Sequence, residues 1–170
     1  MQKIKYFTQL IKFRLSSTVV FSAITGYLLG IKEEIISNVL SDIFYLTLGG
    51  FLVVGSANAF NQIVERNYDK LMKRTENRPL PKGNLQLWPS VVFSFIIGLL
   101  GLLLLYKINH YCSYFGLLAI ILYVLCYTPL KRVSPISIFV GAIPGAIPFL
   151  LGWVATYDFN LISSDFETGF

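Results

Sequence analysis

The segment that decides the fold reads Asn61-Gln-Ile-Val-Glu65-Arg-Asn-Tyr-Asp69, and it follows directly on a long apolar stretch. Asn61, Glu65 and Asp69 stand four residues apart. On a helix this spacing places them on one face, with neighbours about 5–6 Å apart. Amide and carboxylate oxygens are the ligands that Mg²⁺ prefers in proteins. The spacing therefore predicts a helix that carries a magnesium site on one face.

A dense group of basic residues follows this acidic face: Lys70, Lys73, Arg74 and Arg78. Carboxylates that hold a metal, next to bases that hold anionic oxygens, suit a metal-bound polyphosphate. The alternative is a solvated helix end whose long basic side chains reach the membrane surface. Asn58 and Asn61 argue against that alternative, because polar groups at membrane depth are costly and tend to be functional.

The composition predicts a membrane protein. The chain has 170 residues, of which 55% are hydrophobic, and its mean hydropathy is +0.64. Such values are too apolar for an ordinary soluble domain. Long apolar stretches predict an all-α, polytopic bundle with five membrane spans, at about 15–31, 43–63, 88–106, 111–127 and 136–157. Residues 1–14 form an amphipathic segment, which we expect to be a short interfacial helix.

The distribution of charge predicts the orientation. Lys32 and Lys107 are the two basic residues that fall on one side of the predicted spans, and all other Lys and Arg residues fall on the opposite side. Because basic loops stay in the cytoplasm, we expect a cytoplasmic N-terminus. The net charge of +5 then reflects membrane topology, and we predict no nucleic-acid partner.

The fifth predicted span contains Gly141-Ala-Ile-Pro144-Gly145-Ala-Ile-Pro148. Each proline removes a backbone hydrogen bond, so we expect this helix to kink. A kink that faces a cavity would make room for a ligand, whereas a packing bend is the other interpretation.

These motifs together resemble the UbiA superfamily of intramembrane prenyltransferases. The first acidic motif of that superfamily is Asn-Asp-x-x-Asp-x-x-x-Asp, and here it reads Asn61-Gln62-x-x-Glu65-x-x-x-Asp69. The Gln and Glu variants are similar to the branch that prenylates heme. Three further blocks match in the same order: Met72–Gly83, Tyr127–Arg132 and Gly141–Trp153.

The resemblance implies a bundle of about nine helices around a central cavity that opens towards lipid. It also implies a second acidic motif after the sixth span, and this sequence ends after the fifth. We therefore expect the chain to be the N-terminal part of such an enzyme, with the C-terminal half as its missing partner.

The reaction implied is the Mg²⁺-dependent transfer of a farnesyl group from farnesyl diphosphate to a vinyl group of heme b. In that reading Asn61, Glu65 and Asp69 are the catalytic metal ligands. The diphosphate is held by Lys73, Arg74, Arg78, Lys131 and Arg132, and Asn58 and Tyr127 bind other parts of the substrates. Two alternatives stay open: a prenyltransferase with an aromatic acceptor, and an inactive membrane fragment. We expect a multi-pass protein of the bacterial inner membrane.

Overall fold

The computed structural model describes residues 2–31 and 38–157, and every regular element within them is a helix. This confirms the all-α prediction. The helices are α1 (Gln2–Leu10), α2 (Phe13–Gly30), α3 (Val39–Asp69), α4 (Leu87–Tyr106), α5 (His110–Ile121), α6 (Thr128–Leu130) and α7 (Ser137–Val154), with a π-helical turn at Leu122–Tyr127 between α5 and α6.

Four helical segments are long and apolar enough to cross a membrane: α3, α4, the segment His110–Leu130, and α7. They correspond to the second to fifth predicted spans, so the chain is a multi-pass membrane protein. The first predicted span corresponds to α2, which has 18 residues but is not among the four. Arg14 and several serine and threonine residues make α2 less apolar, although it still packs along α7 and α3.

Residues 32–37 and 158–170 lie outside the described residues. They include Lys32 and the acidic tail, on which the predicted orientation partly depends. That orientation stays a prediction.

The bundle is held together by two long helix pairs, α3 with α4 and α2 with α7. The α2–α7 pair depends on glycine. A Cβ atom at Gly152 would overlap the carbonyl of Ala23, and one at Gly26 would overlap the carbonyl of Phe149. Small residues allow helix backbones to approach this closely in a membrane protein.

The predicted amphipathic segment forms α1 and a sharp junction with α2. Lys12 stands at that junction in the left-handed conformation, with φ of 50° and ψ of 58°. Leu10 is fully buried against the C-terminal end of α3 and the loop that follows, among Ala59, Ile63, Leu80 and Leu85. The amphipathic segment therefore packs against α3 and the loop after it.

The helix that begins with α5 changes its hydrogen-bond register at Leu122–Tyr127, where it forms a π-helical turn. Pro129 explains the change, because it has no N–H to continue the α-helical pattern. Instead, the backbone N–H of Thr128 bonds the carbonyl of Tyr123, five residues earlier. Such π-helical turns are frequent at functional sites.

Candidate active site

The predicted acidic face points into the protein. Asn61, Glu65 and Asp69 lie on the last turns of α3 and are only 1%, 7% and 3% exposed. Buried carboxylates need partners, because an isolated charge in a dry environment is costly. The side chains that pair with Glu65 and Asp69 therefore indicate which kind of ligand this face can bind.

Three of the five predicted diphosphate-binding bases meet these two acids. Arg78 Nη1 lies 2.7 Å from Asp69 Oδ2. Lys131 Nζ and Arg132 Nη2 lie 2.8 Å and 3.4 Å from Glu65 Oε1. Two separate loops thus deliver positive charge to one end of α3, and the bases there outnumber the acids. The cluster can attract an anion as well as neutralise its own carboxylates.

The loop after α3 brings Arg78 back to the helix that it leaves. The Thr75 hydroxyl donates to the backbone carbonyl of Asp69 at 3.1 Å and is buried. Further along, Leu80 and Leu85 are buried against the apolar side of α3. The loop is therefore anchored before and after Arg78, which holds the guanidinium beside Asp69.

The remaining two predicted bases differ from each other. Lys73 is exposed, and no ion pair joins it to a carboxylate within the described residues. Arg74 lines a polar cavity of about 340 Å³ together with Lys12, Arg78 and four uncharged residues: Gln9, Gln62, Asn77 and Pro79. Arg74 therefore lies near the acidic face of α3. Among the described residues, Lys73 makes no ion pair with that face.

Lys12 is a residue of this site that the sequence did not reveal. The pKa of Lys12 is lowered to about 8, first by burial and then by nearby Arg78 and Lys131, while Glu65 and Asp69 act in the opposite direction. The ammonium thus lies within the field of both acids and two bases. The sequence places Lys12 in an amphipathic segment, and no signal there predicts the left-handed junction that turns it towards α3.

Gln62 has a different role from its neighbours in the acidic motif. It is 1% exposed, and its Nε2 donates to the backbone carbonyls of Gln9 at 3.2 Å and Leu10 at 2.8 Å. It therefore ties α3 to the end of α1, just before Lys12. A carboxylate has no N–H to donate, so an amide is required for these two bonds.

An apolar cavity of about 210 Å³ begins beside Asn58 and continues along α7. The residues Gly141, Pro144, Gly145 and Pro148 all line it. This favours the interpretation in which the proline-rich span faces a ligand cavity. Asn58 is buried, and its Nδ2 lies 3.4 Å from the hydroxyl of Ser16.

Tyr127 stands between this cavity and the acidic face. Its ring stacks on Tyr123, which lines the cavity, with centroids 5.3 Å apart. On the other side, Lys131 Nζ lies 5.4 Å from the centroid of Tyr127. Asn61 is linked to the same helix, since its Nδ2 donates to the hydroxyl of Thr128 at 3.0 Å. The apolar cavity and the charged cluster are therefore adjacent parts of one site.

The donor set fits a divalent cation. Within residues 2–31 and 38–157, no three Asp, Glu, His or Cys side chains form a group that could hold a metal ion. However, Mg²⁺ is commonly held by one or two carboxylates, while substrate phosphates and water supply the other ligands. Glu65 and Asp69 on one buried face, with bases available for the phosphates, match that pattern.

The chain resembles known proteins over most of its length. Residues 19–164 match the UbiA prenyltransferase family. A protoheme IX farnesyltransferase of Christiangramia forsetii is 50% identical over 88% of this chain, and that of Flavobacterium psychrophilum is 46% identical over 91%. A mitochondrial protoheme IX farnesyltransferase of Arabidopsis thaliana is 41% identical over 86% of this chain. The chain spans about half the length of the two bacterial relatives, 48% and 52%.

A solved structure, described as digeranylgeranylglyceryl phosphate synthase in membranes, has the same fold. It superposes with a TM-score of 0.81 at 27% sequence identity, and the match covers 93% of this chain and 55% of that one. The sequence match, the shared fold and the relatives of high identity lead to one conclusion: this chain belongs to the UbiA prenyltransferase family.

Proposed function

We propose that this chain forms the donor-binding part of a protoheme IX farnesyltransferase, which transfers the farnesyl group of farnesyl diphosphate to heme b and yields heme O. The names of the relatives support the choice of reaction. One structural observation carries the proposal. The buried acids Glu65 and Asp69, each paired with bases from a loop, lie beside an apolar cavity. A charged cluster next to an apolar cavity is complementary to a ligand with an anionic head and a long hydrocarbon tail.

The basic residues would make the diphosphate a good leaving group. When the allylic C–O bond breaks, its electron pair stays on the diphosphate oxygen, where negative charge accumulates. Arg78, Lys131 and Arg132 are already held near that position by their ion pairs with the acids. Donors that are positioned before the reaction stabilise developing charge without the cost of reorganisation. Lys12 and Arg74, at the neighbouring polar cavity, would extend this positive region.

Glu65 and Asp69, with Asn61 beside them, would hold the Mg²⁺ ion that we propose as cofactor. When bound there, the ion would supply further positive charge for the departing diphosphate. The acids themselves would orient the metal and the bases around one face of α3. This role explains why two carboxylates are buried at a site that must bind an anion.

The apolar cavity would hold the prenyl chain and keep water away from its reactive carbon. In the transfer step, the terminal vinyl carbon of heme b bonds to C1 of the farnesyl group. A water molecule then adds a hydroxyl to the other vinyl carbon and releases a proton, which balances the loss of diphosphate. Exclusion of stray water before that bond forms favours transfer over hydrolysis.

The fold by itself does not define the acceptor, since the solved structure of the same fold is described as a digeranylgeranylglyceryl phosphate synthase. The names of the bacterial relatives favour heme b as the acceptor. The apolar helices, together with the bacterial source of these relatives, lead us to propose the bacterial inner membrane as the location. Acceptor residues would come in part from the half of those relatives that lies outside the match with this chain.

The test is an assay of product. The chain is expressed alone, and also joined to the C-terminal half of the Christiangramia forsetii relative to give a hybrid enzyme. Membranes are supplied with heme b, farnesyl diphosphate and Mg²⁺, and heme O is sought by mass spectrometry. We expect heme O from the hybrid, and its loss in Asp69→Asn and Arg78→Ala. Prenylation of an aromatic acid alone would overturn the choice of heme. Heme O from the hybrid but not from the chain alone would support the alternative that these 170 residues are inactive by themselves, and an inactive hybrid would overturn the proposed function.

A further inference from the structure

We propose that the ring of Tyr123 stabilises the allylic carbocation that forms when the C–O bond of the prenyl diphosphate breaks. This inference rests on the prenyl-transfer function proposed above. It assigns a catalytic role to a residue outside the acidic motif and the basic loops. Three observations carry it: the lining of the apolar cavity, the stack with Tyr127, and the π-helical turn.

The first observation is the lining of the apolar cavity. Among the described residues that line it, Tyr123 is the one aromatic side chain, and Asn58 is the one residue with a polar side chain besides the tyrosine hydroxyl. The other lining residues are aliphatic, glycine or proline. A carbocation in such surroundings has few electron-rich groups beside it. The face of an aromatic ring attracts a cation through its quadrupole, most strongly where water is absent.

The second observation is the position of Tyr123 relative to the charged cluster. Its ring stacks on Tyr127, with an interplanar angle of 26°. The Tyr127 ring in turn lies near the Lys131 ammonium, which is paired with Glu65. The bond that breaks joins the anionic head of the substrate to its apolar chain, so it must lie where charged cluster and cavity meet. Tyr123 stands on the cavity side of that boundary.

The third observation explains how Tyr123 is held. Thr128 bonds the Tyr123 carbonyl twice, through its backbone N–H and through its hydroxyl at 2.7 Å. The same hydroxyl accepts a hydrogen bond from Asn61 at 3.0 Å. The π-helical turn is therefore fixed by the face that carries Glu65 and Asp69. These bonds hold the backbone that carries the Tyr123 ring.

The Tyr123 ring would determine whether the allylic cation reacts with the acceptor or with water. With the ring in place, the cation survives until the vinyl carbon of the acceptor donates its electron pair to C1. Without the ring, ionisation is slower, and water that reaches C1 forms a C–O bond and releases a proton, which gives farnesol. A residue that only packs in the helix bundle would affect stability without changing this partition between products.

The experiment uses the hybrid enzyme and replaces Tyr123 by Phe, by Leu and by phenylalanines that carry one, two or three ring fluorines. We expect Tyr123→Phe to keep kcat within about threefold, because the ring is retained. We expect Tyr123→Leu to lower kcat roughly 10- to 100-fold, with a smaller change in KM for farnesyl diphosphate and a larger share of farnesol. Within the fluorinated series, kcat should fall with each added fluorine, because fluorine weakens the quadrupole of the ring.

The control is Tyr114→Leu on α5, where the tyrosine is 70% exposed on the outside of the bundle. It should leave both kcat and the share of farnesol unchanged. The inference is overturned if Tyr123→Leu keeps the native kcat, or if all rings of the fluorinated series react equally fast. If Tyr123→Leu fails to fold, the fluorinated series still decides, since those side chains are almost equal in size. A native hybrid that makes no prenylated product overturns the proposed function itself, which is a separate outcome.

Discussion

The guanidinium of Arg78 lies 2.7 Å from the buried carboxylate of Asp69, although the chain leaves α3 and reverses direction between them. The two side chains are 24% and 5% exposed, so water reaches the base more easily than the acid. A base in this position can pair with Asp69 in the free protein and turn part of its hydrogen-bonding capacity to an incoming anion. Arg78 therefore neutralises Asp69 in the free protein and is also available to bind an anion.

Removal of either member of this pair should reduce activity strongly. For Arg78→Ala and Asp69→Asn in the hybrid enzyme, we expect kcat/KM to fall by roughly 10²–10³, the usual effect of losing a group that stabilises developing charge. Steady-state assays of heme O formation at saturating Mg²⁺ measure it. The matched control is Lys82→Ala, an exposed base in the same loop, which should stay within twofold of native activity. An Arg78→Ala variant with native kcat/KM would contradict the role given to this loop.

Lys12 should make the binding of diphosphate sensitive to pH. Its pKa is lowered to about 8, so the ammonium is charged below that pH and neutral above it. We expect affinity for farnesyl diphosphate to weaken by about tenfold as pH rises from about 7 to 9.5, because one charged hydrogen bond to the anion is lost. Equilibrium binding in nanodiscs measures this dependence.

Two variants test whether Lys12 is the source of that dependence. Lys12→Arg keeps its charge throughout this range, so its affinity should change little with pH. Lys5→Ala, an exposed lysine on α1, should keep the native pH dependence. A native pH dependence in Lys12→Arg would show that another group titrates.

Gln62 should be required for the junction between α1 and α2. Gln62→Glu removes both N–H donors and places carboxylate oxygens against two carbonyl oxygens, so we expect a loss of about 1–3 kcal/mol in stability. The apparent melting temperature in detergent should fall, and affinity for diphosphate should fall with it as Lys12 is displaced. Gln86→Glu, an exposed position just before α4, is the control. An unchanged melting temperature in Gln62→Glu would mean that the bonds to Gln9 and Leu10 contribute nothing.

Two glycines of α7 should respond differently to the same substitution. Gly152→Ala pushes a methyl group into the backbone of α2, so we expect a loss of about 1–3 kcal/mol, as for other overpacked positions. Gly145→Ala meets nothing within 4 Å and should be neutral or stabilising, because alanine favours helix. Melting temperatures of the two variants in the same detergent measure the difference. Equal effects would contradict the close contact of α2 and α7.

The sequence predicted the helices well, because membrane spans are long and apolar and their signal is local. The four segments that can cross a membrane begin and end within a few residues of the predicted spans, except that α3 extends beyond its apolar part at both ends. The sequence also predicted the inward face of α3, since a four-residue spacing defines a helix face whatever surrounds it.

The composition and motifs of the chain thus determined, without any structure, that it is an all-α membrane protein with an acidic face followed by bases. Only the tertiary structure decided which bases meet which acids, and it brought Lys12, Tyr123 and the π-helical turn to the site. The physical reason is the range of the interactions. Helix periodicity and apolar length are properties of neighbouring residues, whereas a left-handed junction, a cavity lining and an ion pair between loops depend on how distant segments pack.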